Sequence, residues 1–393
     1  MKLEDDVPES IMVMILARLP IRSISRFKSV CSQWKQLFES SYFRNLYGSL
    51  NQKNLSSPWS IMNLDSRSRE YLLEHFSERW GLTETLGTSL LRLLDHMKEG
   101  TRAVDMSDGL VLLAEKDKED SFLVANPVLQ EWIKIPSPPP VEARCLCEAA
   151  LVTHMSNDGD LLGYKVVWFE KRFSINSFNF QVHSSETGNW TYREVLHDRG
   201  NLHYHLNSKP INLNGCVHWL FSLSGVIISY DDFYARTSQE AQQLGRVVDL
   251  PDWSNYSKYT CTVSCGSLML IQKTGREMRV WRLEKQETNW ELVWNVTTYG
   301  QDLFGNGSIT CRMPMMMHPF DSEVVFLLGR GSDGGHSYLV SGNMRTEKFQ
   351  LHKELNHVPL SDVHFCQFVL PQRLGSIPCP PGCSLVTASA TQV

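Results

Sequence analysis

Residues 109–132, GLVLLAEKDKEDSFLVANPVLQEW, decide how the rest of the chain is read. A glycine opens an unbroken apolar run, charged residues follow, a second apolar run ends on Asn126-Pro127, and Trp132 begins whatever comes next. Both runs are too short for helices and both are bounded by turn formers. They therefore read as strands joined by tight connections.

Both halves of the stretch recur. The glycine followed by a short apolar run returns as Gly215-Cys-Val-His-Trp-Leu and Gly266-Ser-Leu-Met-Leu-Ile. The strand, polar turn and tryptophan of 124–132 return at 182–190, ending on Trp190, and at 281–290, ending on Trp290. A degenerate copy spans 339–349 with Phe349 in the tryptophan's place, and another spans 230–250 with a long insertion. Trp132 and Trp190 stand 58 positions apart, Trp290 and Phe349 59, which suits one four-stranded antiparallel unit per repeat. One such sheet cannot bury both of its faces, so the units must stack around a ring, with the large aromatic wedged between neighbours. Residues 59–372 are thus expected to form an all-β propeller of six blades, within a range of five to seven. Helical periodicity interrupts it only at 88–96. The strand at 364–370 is expected to close the ring against an early blade, and the tail 373–393, rich in proline and small residues, to be disordered.

Ahead of the strands the texture is helical: DDVPESIMVMILARLPIRSISRFKSVCSQWKQLFES, residues 5–40. Pro8 suits a helix start, Ile11, Ile15 and Leu19 recur four apart with Met12 and Leu16 beside them, and Pro20 is a stop. A short second helix over 23–27 leads to a third carrying Val30, Trp34, Leu37 and Phe38. A segment this small sits at the limit of independent folding, and it has neither a cysteine pair nor metal-ligand spacing. Its surplus apolar surface fits either a docking module or the packed helical cap of a larger domain.

The order Val7-Pro8, Ile11, Ile15-Leu16, Leu19-Pro20, Ile24, Arg26-Phe27, Val30-Cys31, Trp34, Leu37 resembles the F-box, the module by which substrate receptors attach to the Skp-type adaptor of a cullin ubiquitin ligase. Val7 stands where that family most often has leucine. The repeats behind it resemble the kelch-like, F-box-associated propellers of plants, through Gly109-Leu-Val-Leu-Leu113 and Asn126-Pro127 to Trp132, although the double glycine usual in kelch blades is missing from most copies. The resemblance implies an all-α F-box head at 1–48, a linker at 49–58 and the kelch-like β-propeller behind them. It implies adaptor contacts through Val7, Pro8, Ile11, Ile15, Leu19, Pro20, Val30 and Trp34. The function implied is that of a non-catalytic, substrate-recognition subunit of a Skp–cullin–F-box ligase, whose partners are the adaptor, through it a cullin, and a target protein. Two alternatives are a sensor or lectin taking a small molecule or glycan, and an enzyme built on the propeller.

Composition bounds these readings. With 393 residues and 42% hydrophobic content the chain can build a sizeable core. A net charge of −5 with scattered lysines and arginines argues against a nucleic-acid partner. Neither a secretory leader nor a run of about eighteen apolar residues is present, so no membrane is expected, and the cytoplasm or nucleus is. The ten cysteines are then expected to be free thiols.

Local motifs offer little chemistry. Residues 329–334, GRGSDG, have the letters of a dinucleotide loop, but the segment after them, 336–340, reads as a strand where a phosphate site needs a helix N-terminus. Residues 184–190 read as a blade turn. The pairs Cys145/Cys147, Cys261/Cys265 and Cys379/Cys383, with His197, His203 and His205, do not assemble four ligands at zinc spacing, so no metal and no cofactor are expected. No nucleophile, base and orienting acid can be grouped, so no catalytic residue is named. Recognition character concentrates in 197–209, 231–244, 252–259 and 299–317. There Tyr204, Trp253, Tyr256, Tyr259 and Phe304 would be aromatic anchors, with Arg236 and Arg312 to orient a target.

Overall fold

The computed structural model describes residues 8–19, 23–24, 27, 30–40, 42–43, 46–47, 59–63, 71–75, 86–115, 121–139, 147–156, 159–170, 177–197, 199, 202, 209–231, 245–284, 289–297, 310–331, 336–355, 365–370 and 375–388. Three helices are placed in full: α1 (Glu9–Leu16), α2 (Ser32–Glu39) and α3 (Leu86–Asp95). Strands β1 (Trp59–Asn63) and β2 (Tyr71–His75) begin the first sheet. The second holds β3 (Arg102–Ser107), β4 (Leu110–Ala114), β5 (Phe122–Asn126) and β6 (Glu131–Lys134). The third holds β7 (Cys147–Met155), β8 (Leu161–Glu170), β9 (Ser177–Ser184) and β10 (Trp190–Leu196). The fourth holds β11 (Ile211–Leu213), β12 (Cys216–Phe221), β13 (Val226–Asp231) and β14 (Gly245–Asp249). The fifth holds β15 (Lys258–Ser264), β16 (Ser267–Thr274), β17 (Glu277–Leu283) and β18 (Trp290–Thr297). The sixth holds β19 (Thr310–His318), β20 (Asp321–Arg330), β21 (Ser337–Asn343) and β22 (Lys348–Leu355). Two strands remain. β23 (Phe365–Val369) returns to pair antiparallel with β1, and β24 (Leu385–Thr387) pairs with the outer edge of β6.

The described strands thus fall into six antiparallel sheets, and an apolar cluster fills each junction between consecutive ones. Met62 and Phe368 of the first sheet meet Val111 and Leu113 of the second, and Leu112 and Ile133 meet Leu151 and Val166 of the third. Phe169 and Phe180 meet Trp219 and Tyr230, Leu220 and Ile227 meet Leu268 and Leu270, and Met269 and Ile271 meet Val325 and Leu327. Phe326 and Leu328 of the sixth sheet meet Trp59 and Ile61 of the first. The last junction closes the ring, so the fold is a β-propeller, with β23 as the closing strand that the sequence placed at 364–370.

The local chemistry of the repeats explains the geometry. Asp108-Gly109, Asn214-Gly215 and Cys265-Gly266 all have positive φ, at 41° and 80°, 52° and 81°, and 48° and 69°. Two consecutive left-handed residues make the tight hairpin whose twist matches its strands, and here it joins the inner strand of a sheet to the second. Second and third strands lie between neighbouring sheets, which is why β4 is buried at every position and reads as an unbroken apolar run. The recurrent aromatics sit on the fourth strands. Trp132, Trp190, Trp290 and Phe349 each pack in the junction with the preceding sheet. The indole N–H of Trp190 donates to Pro136 O and that of Trp290 to Asp249 O, both at 2.8 Å, so each ring also ties its sheet to the exit of the one before. After the GRGSDG segment comes strand β21, antiparallel to β20 with Arg330 facing Ser337, where a dinucleotide loop would need a helix; residues 332–335 lie outside the described residues.

The tail departs from the expectation of disorder. Residues 375–388 are placed, Ile377 is buried between the second and third sheets, and β24 adds a fifth strand to the second sheet. Asn126 Nδ2 donates to Gly375 O, while Ser376 Oγ and Ile377 N donate to the buried carboxylate of Glu131 at 2.8–3.0 Å. A polar, proline-rich composition does not prevent order when one apolar side chain and a row of backbone bonds hold it.

Two buried histidines make the propeller acid-sensitive. His183 and His218 are each lowered from 6.5 to about 4, by burial in both cases. Their folded values lie below the unfolded one, so the unfolded chain binds more protons between pH 6.5 and 4, and stability falls as pH drops through that window. Each histidine is expected to remove about 2 kcal/mol by pH 5. Urea midpoints measured from pH 7 to 4.5 should fall in the wild type and fall less steeply in His218→Gln, which keeps a partner for Ser229 Oγ; equal slopes would refute the assignment.

Candidate functional site

Two surfaces carry functional character, one on the helical head and one on the propeller. In the head, Val13 and Leu16 of α1, with its C-cap Ala17, turn inward onto Ile24, Phe38 and Phe43. The opposite face of α1 is left uncovered: Ile11 is 51% exposed, Met14 38% and Ile15 56%, with Val30 at 63% nearby in sequence to α2. Pro8 is exposed too and is the N-cap of α1, its carbonyl accepting from Ile11 N and Met12 N. α1 ends at Leu16, before Pro20 could break it. Cys31 caps α2, its sulfur accepting from Trp34 N at 3.5 Å, which gives the C-x-x-W spacing a structural reason.

Among the residues predicted to meet an adaptor, Pro8, Ile11, Ile15 and Val30 are presented to solvent. Leu19 and Trp34 instead pack on the head's own core, with Trp34 edge-on to Phe27 and Phe38 at 5.1 and 6.2 Å. Val7 and Pro20 lie outside the described residues. Met14 was missed, although it falls one turn from Ile11 on the same face. Tyr47 packs both on the head core and on the junction of the first and second sheets, and burial pushes its hydroxyl up to about 12. It forms a seam between the two parts.

Strand order sorts the propeller's loops. In each four-stranded meander the connections to the next sheet and those between second and third strands share one rim, and the others share the opposite rim. Strands β10 and β11, β14 and β15, and β18 and β19 meet end to start on the first of these rims; of the sequence-named segments between these strands, 198, 200–201, 203–208 and 299–309 lie outside the described residues. Strand β13 ends and β14 begins on the other rim, and 232–244 lie outside the described residues. The head joins there as well, since β1 runs antiparallel to the inner strand β23.

Of the predicted anchors, Trp253 and Tyr256 are 41% and 91% exposed on the loop between β14 and β15. Tyr259 turns inward: its hydroxyl accepts from Ser254 N at 2.7 Å and it packs at the junction of the fourth and fifth sheets. Tyr204, Arg236, Phe304 and the side chain of Arg312 lie outside the described residues. The Trp253 indole donates to Ser222 O at 2.8 Å and lies over Gly225, where an added Cβ would stand 2.7 Å from the ring. Gly225 also has φ +69°. Gly225→Ala is therefore expected to cost about 2 kcal/mol and to displace the indole, seen as a lower melting temperature and a shift in tryptophan emission. Unchanged melting would contradict the packing.

The described residues supply no constellation for covalent chemistry. Burial pushes the thiols of Cys261 and Cys366 up to about 12, so both stay protonated at neutral pH. Among the described residues no three His, Cys, Asp or Glu side chains group to hold a metal, and no helix is long and apolar enough to cross a membrane.

Comparison with known proteins places this geometry. Residues 5–46 match the F-box domain model, and residues 57–364 match the model described as F-box protein At3g26010-like, beta-propeller. The F-box protein At3g26010 of Arabidopsis thaliana is 34% identical over 97% of this chain and 93% of its own length. The putative F-box/kelch-repeat protein At4g22430 of the same plant is 33% identical over 88% of this chain and 80% of its own. A solved structure of a protein from Lactobacillus plantarum superposes with a TM-score of 0.37 at 10% identity, covering 79% of this chain and 100% of that one. With an F-box head, a closed ring of sheets and relatives that match along 80% or more of their own length, the chain belongs to the family of F-box proteins with an At3g26010-like β-propeller.

Proposed function

We propose that this chain is the substrate-recognition subunit of a Skp–cullin–F-box ubiquitin ligase, acting in the cytoplasm or nucleus. The observation that carries the reading is the exposure of Pro8, Ile11, Met14 and Ile15 along α1, and of Val30 just ahead of α2, all apolar and uncovered on a head whose inward face is already filled. Solvent exposure of so many large apolar groups on so small a module is unfavourable unless a partner covers them. A Skp-type adaptor is the partner that the F-box family supplies.

The propeller then holds the target. In this reading the six sheets are six blades, and the target meets the rim opposite the head's attachment, which carries Trp253 and Tyr256. Rigid aromatics lose little conformational freedom on binding and so suit an interface core. Catalysis comes from proximity alone: a target lysine held beside the ubiquitin thioester gains effective concentration, and this chain contributes no reacting group. The Tyr47 seam supports that role, because a fixed angle between head and ring fixes where the lysine is held.

The test is to co-express the full chain with a Skp-type adaptor and cullin and to measure co-elution. A stoichiometric complex is expected; a folded, monodisperse chain that elutes alone would sink the reading.

A further inference from the structure

The strap 375–388, which follows the closing strand, carries two thiols that the ligase reading leaves unused. Cys379 and Cys383 flank Pro380-Pro381-Gly382, and those three residues make a turn for reasons of backbone chemistry. Proline holds φ at about −65°, Gly382 stands at φ +78°, and Cys383 N donates to Pro380 O at 3.1 Å. Proline followed by a left-handed glycine is the pairing that a type II turn requires. The turn is also seated on the ring. Pro380 is buried, and a Cβ added to Gly188, in the turn between β9 and β10, would stand 2.7 Å from Pro381 O, so a glycine is what lets the two turns touch. On one side Ile377 is fixed between the second and third sheets, and on the other β24 runs along β6.

This turn holds the two thiols together. Cys379 Sγ donates to Cys383 O at 3.3 Å, which sets the sulfur beside the backbone of Cys383. The Cys379 side chain is exposed, whereas Cys383 is half-buried against the cluster of the second and third sheets. Burial first, and the nearby Cys379 second, hold the Cys383 thiol above its ordinary value. Burial first, and then Cys383 and Cys379, raise the hydroxyl of Tyr164 as well, which places all three groups in one neighbourhood. That hydroxyl is buried and has no hydrogen-bond partner among the described residues. Such a wall disfavours a thiolate and tolerates a disulfide, which carries no charge and needs no hydrogen bond.

We propose that Cys379 and Cys383 form a reversible disulfide across this turn, with a low-molecular-weight disulfide, such as oxidised glutathione, as the oxidant. Cys379, the accessible thiol, gives up its proton and attacks one sulfur of the oxidant; a mixed disulfide forms and one glutathione thiolate leaves and takes a proton. Cys383 then loses its proton and attacks the Cys379 sulfur, and the second glutathione leaves. Two protons and two electrons pass from the cysteine pair to the glutathione pair, and one S–S bond replaces another. Because the Cys379 sulfur is exposed, reduced glutathione runs the same steps backwards. The inference goes beyond the ligase reading and needs neither adaptor nor target. It makes the strap's hold on the second and third sheets follow the thiol–disulfide balance around the protein.

The full chain is equilibrated in buffers of reduced and oxidised glutathione, folded or in urea, then blocked with iodoacetamide and digested with trypsin. The peptide that begins at Leu374 carries both cysteines. It is expected without either alkyl group and two hydrogens lighter than the dithiol, and dithiothreitol should reverse this. The folded chain should be half-bridged at an oxidised-glutathione level about tenfold lower than the unfolded one, because the turn is already formed. By the same linkage the bridge should raise the melting temperature by about 2 °C. Cys379→Ser, at an exposed position, should stay folded and melt at one temperature whatever the glutathione ratio. The inference is overturned if the folded chain keeps both thiols alkylated where the unfolded chain is bridged, or if the two bridge alike. It is equally overturned if the peptide carries glutathione in place of a bridge, or if Cys379→Ser shows the same melting shift.

Discussion

Ile11→Asp combined with Ile15→Asp is expected to abolish capture of a Skp-type adaptor while leaving the chain folded. Both side chains stand in solvent, at 51% and 56% exposure, and neither belongs to the head's core cluster, so the free protein loses no packing. At an interface the arithmetic changes. An apolar anchor removed from the centre of a contact typically costs about 2 kcal/mol, and a carboxylate left there without a partner costs more. Together the two should weaken the complex by at least about 4 kcal/mol, roughly a thousandfold. Val13→Asp makes the useful contrast, because Val13 is buried and its replacement should unfold the head. Pull-down with far-ultraviolet circular dichroism separates the cases, and undiminished capture by the double variant would place the docking surface elsewhere.

Truncation after Leu374 is the second large effect, and the opposite of what the tail's composition suggests. It removes Ile377, 3% exposed between the second and third sheets, and the two donors that Ser376 and Ile377 present to Glu131, itself 6% exposed. Losing the isoleucine should cost about 2–5 kcal/mol and leaving the buried carboxylate with fewer donors about 1–3 more. A loss of that size approaches the whole stability of an ordinary domain. The truncated chain is expected to melt far below the intact one or to precipitate on expression. Removing only 389–393, beyond β24, should do neither, and equal melting of all three chains would show the strap to be dispensable.

The features legible in the sequence are those whose cause is local. Asp108-Gly109 and Asn214-Gly215 announce their hairpins because two left-handed residues in succession need such pairs. Trp132, Trp190 and Trp290 mark fourth strands because one wedge of similar size is needed at each junction. The tail was illegible because Ile377 and Ser376 find Glu131 across some 245 residues, and no window of sequence contains both. Leu19 and Trp34 were named as adaptor contacts through the resemblance to the F-box, and both pack on the head's own core, while Met14, on the uncovered face of α1, was passed over because periodicity cannot say which face the head keeps for itself. Tyr259 misled for a related reason: an aromatic in a polar loop is equally suited to reach a partner or to tie down its own loop, and only Ser254 N decides it. That the loop carrying Trp253 and Tyr256 opens on the rim away from the head follows from strand order alone and has no sequence signature.

The pairing of β1 with β23 has a consequence for synthesis. Trp59 faces Val369 and Asn63 faces Phe365, so the first strand of the ring to leave the ribosome waits for the last. The middle sheets are each built from consecutive strands and can form in the order they are translated. The first sheet cannot, and until it closes, its apolar edge and that of the sixth sheet stay open to other chains. The head emerges before any of this. On the ligase reading, a nascent chain could already be held by the adaptor while its propeller is unfinished, and any early stop codon that spares the head would release a competitor for the adaptor that carries no target.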